Sequence, residues 1–360
     1  MISPAVTARP RAPGTAVYSP RPLSPRAPFP RPRFPHGAWL ATLVLTTAAR
    51  GQEEIAARLR TPAPQVAFRP ERVSGLESYG CASCHAEVTA EWAASAHGLS
   101  WVDEVFQAAL KDKKRPELCH GCHVPEPLLH GPLSPRPDPR ADERGRGISC
   151  ETCHQDAQGT MLGPRGTSTP AHPSKLAPEL VAPGSNELCS ACHATNIGPV
   201  LGVAKDFAAA GLAAKGLSCV GCHMAPVERA WAKDAPARTG RSHALQTPRD
   251  PAFLRLALGA EMHSSGAQSR VVLKNQAGHR VPGLIGRQLK LVAELQDEAG
   301  AVLERLEKTI DERAYLPVGG SLELAFQKRG ARVHLTGTHI DPRSTTALTF
   351  LDEVLTPSDG

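Results

Sequence analysis

Cys81-Ala-Ser-Cys84-His85 begins the series of residues that decides how this chain folds. The spacing returns at Cys119-His-Gly-Cys122-His123, Cys150-Glu-Thr-Cys153-His154, Cys189-Ser-Ala-Cys192-His193 and Cys219-Val-Gly-Cys222-His223, and these five stretches use all ten cysteines. Two thiols three positions apart with a histidine directly after the second form the attachment signature of a c-type haem. The chemistry sets the spacing. The thiols add across the two vinyl groups on one edge of a porphyrin, and the next side chain reaches beneath the ring to the iron. Cys81, Cys84, Cys119, Cys122, Cys150, Cys153, Cys189, Cys192, Cys219 and Cys222 are thus expected to bind the cofactor, five covalently attached haem c groups. His85, His123, His154, His193 and His223 are the expected proximal ligands.

Two other chemistries use paired cysteines. A disulfide scaffold does not require a histidine after every second cysteine, and such scaffolds are usually much shorter. Structural zinc takes Cys-x-x-Cys in pairs, and five pairs cannot be divided evenly among four-cysteine sites. The first cysteines are separated by 38, 31, 39 and 30 residues, so motifs one, three and five are each 69 apart. That alternation is compatible with a two-haem repeat.

The rest of the composition fits this reading. The 360 residues are 41% hydrophobic and only 4% aromatic, enough for two domains but short of large rings to fill a core. The formal charge of +6 arises from six arginines in residues 1–49, a stretch with no acid; beyond it, basic and acidic side chains number 35 each. A neutral body removes the main support for nucleic-acid binding. Residues 1–36 hold ten prolines and read as a disordered extension. Gly37 to Ala49 is short, apolar and ends in small residues, which reads as a Sec-type signal sequence. The expected organisation is therefore 1–49 extension and signal peptide, 50–265 pentahaem domain and 266–360 β-rich domain, with a periplasmic or extracellular destination.

The ligand on the second face of each iron separates an electron carrier from an enzyme, because an open face admits substrate. Of fifteen histidines, five are proximal, His36 lies in the extension and His120 lies inside a motif. Candidates for the distal faces are His97, His130, His172, His243 and His279, with His263, His334 and His339 read as structural. Methionine is scarce, which favours bis-histidine ligation.

Several segments resemble the multihaem cytochrome c superfamily, which includes tetrahaem electron carriers, pentahaem nitrite reductases and hydroxylamine oxidoreductase. Trp92-Ala-Ala-Ser95-Ala-His97 is similar to its W-x-x-S-x-H element, and Gly147-Ile-Ser-Cys150-Glu-Thr-Cys153-His154 to its G-[IV]-x-C-E-x-C-H segment, with Gln155 and Asp156 in place of Gly-Pro. His172 before Pro173, Arg241-Ser-His243 and Asn275-Gln-Ala-Gly278-His279-Arg-Val-Pro282-Gly283 resemble its distal-histidine regions; the last lacks the family's threonine. The resemblance spans about residues 78–290 and implies that these histidines are distal ligands. It also places the chain away from the family's known catalysts. The nitrite reductases carry lysine in their catalytic motif, where all five motifs here end in histidine.

Between the motifs the chain reads as short helices and loops organised around haems. Trp101 to Lys114, Val200 to Ala214 and a segment capped by Asp250 and running to about Met262 carry helical spacing, while Pro125 to Arg140 must be irregular. After about residue 266 the period changes to two: 270–273, 289–295, 301–310, 321–326, 332–335 and 346–350 read as strands of a small antiparallel, sandwich-like domain. The function expected is single-electron transfer through five mainly bis-histidine haems. Its partners would be redox proteins met transiently, such as other cytochromes or a membrane quinol oxidase or reductase, and no nucleic acid. The alternatives are an oxidoreductase acting on a small nitrogen or sulfur compound at one open-faced haem, and a subunit of an extracellular electron-conducting assembly.

Overall fold

The computed structural model describes residues 80–166, 168–181, 185–198, 202–344 and 346–358. The extension and signal expected within residues 1–49 lie outside them. From residue 80 to about 250 the chain is a succession of short helices: α1 (Ala86–Ala94), α2 (Glu104–Lys111), α3 (Glu117–His123), α4 (Cys150–His154), α5 (Ser185–His193), α6 (Val203–Ala209), α7 (Cys219–His223) and α8 (Pro251–Arg255). Helices α3, α4, α5 and α7 each end on a proximal histidine; the first motif starts in a single 3-10 turn, Gly80–Ser83. One helical turn is what the attachment chemistry needs. Residues i, i+3 and i+4 share a face, so both thiols and the imidazole point the same way.

The helices are shorter than their sequence spacing suggests. Asp103 caps α2, its carboxylate accepting from the Phe106 N–H at 2.8 Å, so this helix starts three residues after Trp101. Asp250 caps α8 in the same way, accepting from Ala252 and Phe253 at 2.9 and 3.2 Å, with Pro251 at the first helical position. Yet α8 ends at Arg255 and does not continue to Met262. Tertiary pairing overrides the helical spacing there, because Leu258 to Ser265 is taken up as a strand against Gln268–Asn275. The β region therefore begins ahead of residue 266. The Pro125 to Arg140 segment holds neither helix nor strand.

Two small strand pairs lie among the helices: β1 (Met161–Gly163) with β2 (Ser174–Leu176), parallel, and the hairpin β3 (Pro226–Ala230) with β4 (Ala237–Arg241). The C-terminal region contains β5 (Leu258–Ser265), β6 (Gln268–Asn275), β7 (Gln288–Gln296), β8 (Val302–Ile310), β9 (Ser321–Ala325), β10 (Arg332–Ile340) and β11 (Leu348–Leu355). They form an antiparallel three-stranded sheet, β5-β6-β9, and an antiparallel four-stranded sheet, β11-β10-β7-β8. Alternate residues of β7 and β10 are buried, as a pleated strand with one covered face requires. Leu258, Val271, Leu273, Leu289, Leu291, Leu295, Leu335 and Phe326 from both sheets fill one core, whose buried members all lie between Leu254 and Leu351.

The helical region is built differently. Among its described residues, the only buried hydrophobic side chains larger than alanine are Val124, Leu188 and Leu212. Its other buried side chains are mostly alanines and hydroxyl residues such as Thr89, Ser95, Ser149, Thr152 and Ser218.

Candidate haem-binding site

Four proximal histidines each face a second histidine. The ring centres of His85 and His172 are 6.4 Å apart, those of His97 and His193 6.2 Å, His154 and His243 6.1 Å, and His223 and His279 6.2 Å. A metal–imidazole bond of about 2 Å, with about 1.1 Å more from nitrogen to ring centre, puts two axial imidazoles about 6.2 Å apart across one metal. The gaps therefore match the thickness of an iron with its two axial bonds. No group of three or more His, Cys, Asp or Glu converges among the described residues, so there is no tetrahedral zinc cage. Two protein ligands per metal suit a porphyrin, which supplies the other four. The residues present fit haem c.

Hydrogen bonds orient these rings. Nδ1 of His85 donates to the Trp231 carbonyl at 2.6 Å, that of His123 to Ser100 at 2.7 Å, that of His154 to Leu162 at 2.8 Å and that of His223 to Gln246 at 2.7 Å. On the distal side, His243 and His279 donate to the carbonyls of Arg241 and Arg280 at 3.0 and 2.8 Å. A carbonyl can only accept, so Nδ1 carries the proton and Nε2 keeps the lone pair a metal would need. Burial lowers the pKa of His97 to about 3 and of His243 to about 4, reinforced by neighbouring histidines; His123, His154, His193, His223 and His279 are lowered by burial as well. Neutral imidazole is the form a metal needs.

Local sequence explains how each distal histidine is presented. In the Trp92 to His97 element, the Trp92 indole donates to the Ile148 carbonyl at 2.7 Å, while Ser95 Oγ donates to the Trp92 carbonyl and accepts from the N–H of His97. The turn is thereby tied to the segment entering the third motif. Gly147 is required in that segment: its φ is +54°, and a Cβ would sit 2.6 Å from the His97 carbonyl. Asn275 holds the last loop, its amide donating to the carbonyls of His279, Leu316 and Pro317 at 3.0 Å while its oxygen accepts from Ala277.

Neighbouring pairs are close enough to feel one another. His154 is influenced by His85, His97 by His243 and His223, and His193 by His223 and His279. The Cys122 thiol is held below its usual pKa chiefly by Cys192, so the second motif lies beside the fourth.

His123 differs from the others. Phe106 lies on its ring, with centres 3.6 Å apart and planes 2° apart, and no other histidine faces it among the ring contacts of the described residues. His130 is exposed, on the loop after α3, and is not brought to a proximal imidazole. His263, His334 and His339 belong to the β region, where His334 meets Asp352 at 2.6 Å.

Sequence reasoning missed several residues that hold these ligands: Glu91, Arg229, Trp231, Asp206, Arg280 and Phe106. None has a periodic or motif signature, since each acts through a partner 70 to 150 residues away or through a stacking contact.

Residues 80–155 match the family of cytochrome c554 and c-prime. The crystal structure of a penta-haem cytochrome c552 from Thermochromatium tepidum superposes with a TM-score of 0.53 at 17% identity, over 79% of this chain and 99% of that one. No curated protein matches the chain. At this identity the likeness is one of fold.

Proposed function

We propose that this chain, a multihaem c-type cytochrome by its fold and its attachment motifs, transfers single electrons through five covalently bound haems. The observation that supports this most is the presence of four imidazole pairs at iron-spanning separation. Haem supplies a one-electron couple when bound. The chain's own contribution would be to hold the group between two imidazoles at four sites, with Nδ1 of His85, His154, His223, His243 and His279 turned to backbone carbonyls so that Nε2 is left for the metal. No described acid or base is placed to move a substrate proton at these four sites.

The fifth site, at Cys119, Cys122 and His123, favours a second reading. With no histidine opposite His123, this is where an open face would be found, and a small nitrogen or sulfur compound would bind there if the protein is a catalyst. No helix among the described residues is long and apolar enough to cross a membrane. Export to the periplasm or cell surface and transient encounters with other redox proteins follow from the haem chemistry and the apolar leader, and remain part of this proposal.

The test is direct. Pyridine haemochrome analysis of matured protein should give five haems per chain, and the ferric electron paramagnetic resonance spectrum four low-spin bis-imidazole centres. A colourless protein, or one whose iron is mostly high-spin, overturns the reading.

A further inference from the structure

Two of the distal histidines arrive from far along the chain. His243 lies 89 residues after the His154 it faces, and His279 lies 56 after His223. A loop that must keep one nitrogen on an iron needs an anchor beside the ligand, and the same device recurs at both loops.

At the first, Glu91 on α1 accepts the backbone N–H of His243 on Oε2 at 2.7 Å. The same carboxylate takes both ends of the Arg229 fork, at 2.7 Å each. The Arg229 side chain is 8% exposed and that of Glu91 19%. Arg229 belongs to β3, and its guanidinium lies 4.6 Å from the centre of the Trp231 ring, whose residue supplies the carbonyl that orients His85. At the second, Asp206 on α6 accepts the backbone N–H of Arg280, the residue after His279, at 3.1 Å. It also takes the Arg280 fork at 2.7 and 2.8 Å, and that guanidinium lies 4.1 Å from the centre of the Tyr315 ring. In each case a helix from the attachment region supplies the carboxylate, the distal loop supplies an N–H, and an arginine stacked on an aromatic ring keeps the carboxylate ionised and fixed.

We propose that Glu91–Arg229 and Asp206–Arg280 are two clamps with one task, each holding its own distal histidine, His243 and His279 respectively, in place opposite the proximal ligand. The inference rests on the ligation reading above and names the residues that enforce it. Glu91, Arg229, Asp206 and Arg280 are positioning residues; none touches the metal position. The clamps are independent, since they share no side chain and serve different pairs.

Independence makes the proposal testable by counting. Ferrous haem takes up carbon monoxide only where an axial position is free or loosely held. In haem-loaded protein, Glu91→Ala and Asp206→Ala should each bind one more carbon monoxide per chain than wild type, and the double variant two more, with matching gains in ferric high-spin signal. Glu91→Gln retains an oxygen for the His243 N–H and should fall between wild type and Glu91→Ala. Where an alanine variant fails to mature, Arg229→Lys and Arg280→Lys, which keep the charge and lose the fork, should speed carbon monoxide uptake at the same sites. Alanine variants that melt earlier yet keep the wild-type count would overturn the proposal, since the pairs would then serve stability alone. So would a double variant that gains no more than either single. A wild type without four low-spin centres would instead overturn the ligation reading, before any variant is made.

Discussion

Phe106 lies flat on His123, ring centres 3.6 Å apart, and among the ring contacts of the described residues His123 is the one motif histidine that no second imidazole faces. The stack and the Ser100 carbonyl fix this ring from its own side of the site. In wild-type protein, one ferric centre should be spectroscopically distinct from the other four, and carbon monoxide should bind the haem at Cys119 and Cys122 first. Phe106→Ala removes about 1 kcal/mol of ring contact. It should shift the signal of that centre while leaving the four paired centres unchanged, as read by electron paramagnetic resonance.

Proximity in sequence misleads about which histidine serves which motif. His97 follows the first motif by twelve residues but faces His193 of the fourth. His97→Ala should therefore add one high-spin centre in a chain lacking Cys81 and Cys84. In a chain lacking Cys189 and Cys192 it should add none. The reverse pattern would assign His97 to the wrong iron.

The two regions should part company when haem is withheld. The β core draws on nothing before Leu254, whereas the helical region buries almost no large apolar side chain of its own. Chain made without haem attachment, when treated with protease, should leave a resistant fragment starting close to Pro251, while the preceding residues are digested. Leu335→Ala, at a fully buried β10 position, should cost about 3 kcal/mol in the thermal stability of that fragment.

Acid should weaken the same region through Asp341. Burial raises its pKa, but the Arg343 fork at 2.6 and 3.0 Å and the nearby Arg287 outweigh burial and hold the carboxyl well below the usual range. A depressed native pKa means stability that is complete above the unfolded value near about 4 and is lost as pH falls below it. Thermal melts should drop through that window. Asp341→Asn should cost about 3 kcal/mol at neutral pH and flatten the acid dependence.

The Trp92, Arg241 and Asn275 segments were legible as tight turns that present a histidine, and the structure sets His97, His243 and His279 each opposite a motif histidine. The strands of 266–360 were legible from an alternation that one buried face imposes. What was not legible depends on contacts across the chain. The helix expected after Asp250 gave way to β5, whose pairing with β6 outweighs its helical spacing. His130, expected as a ligand by elimination, lies exposed on a proline-rich loop, as His193 of the fourth motif is exposed too. Glu91 and Arg229 are 138 residues apart, and nothing local to either marks the pair.

The crosswise pairing of histidines also orders events in time. A chain that emerges amino end first exposes His85, His154 and His223 well before His172, His243 and His279 exist to face them; only His193 finds its partner, His97, already made. If these pairs hold haem as proposed, a group attached to the first, third or fifth motif as that motif emerges would wait for its second imidazole, whereas one at the fourth would find His97 already made.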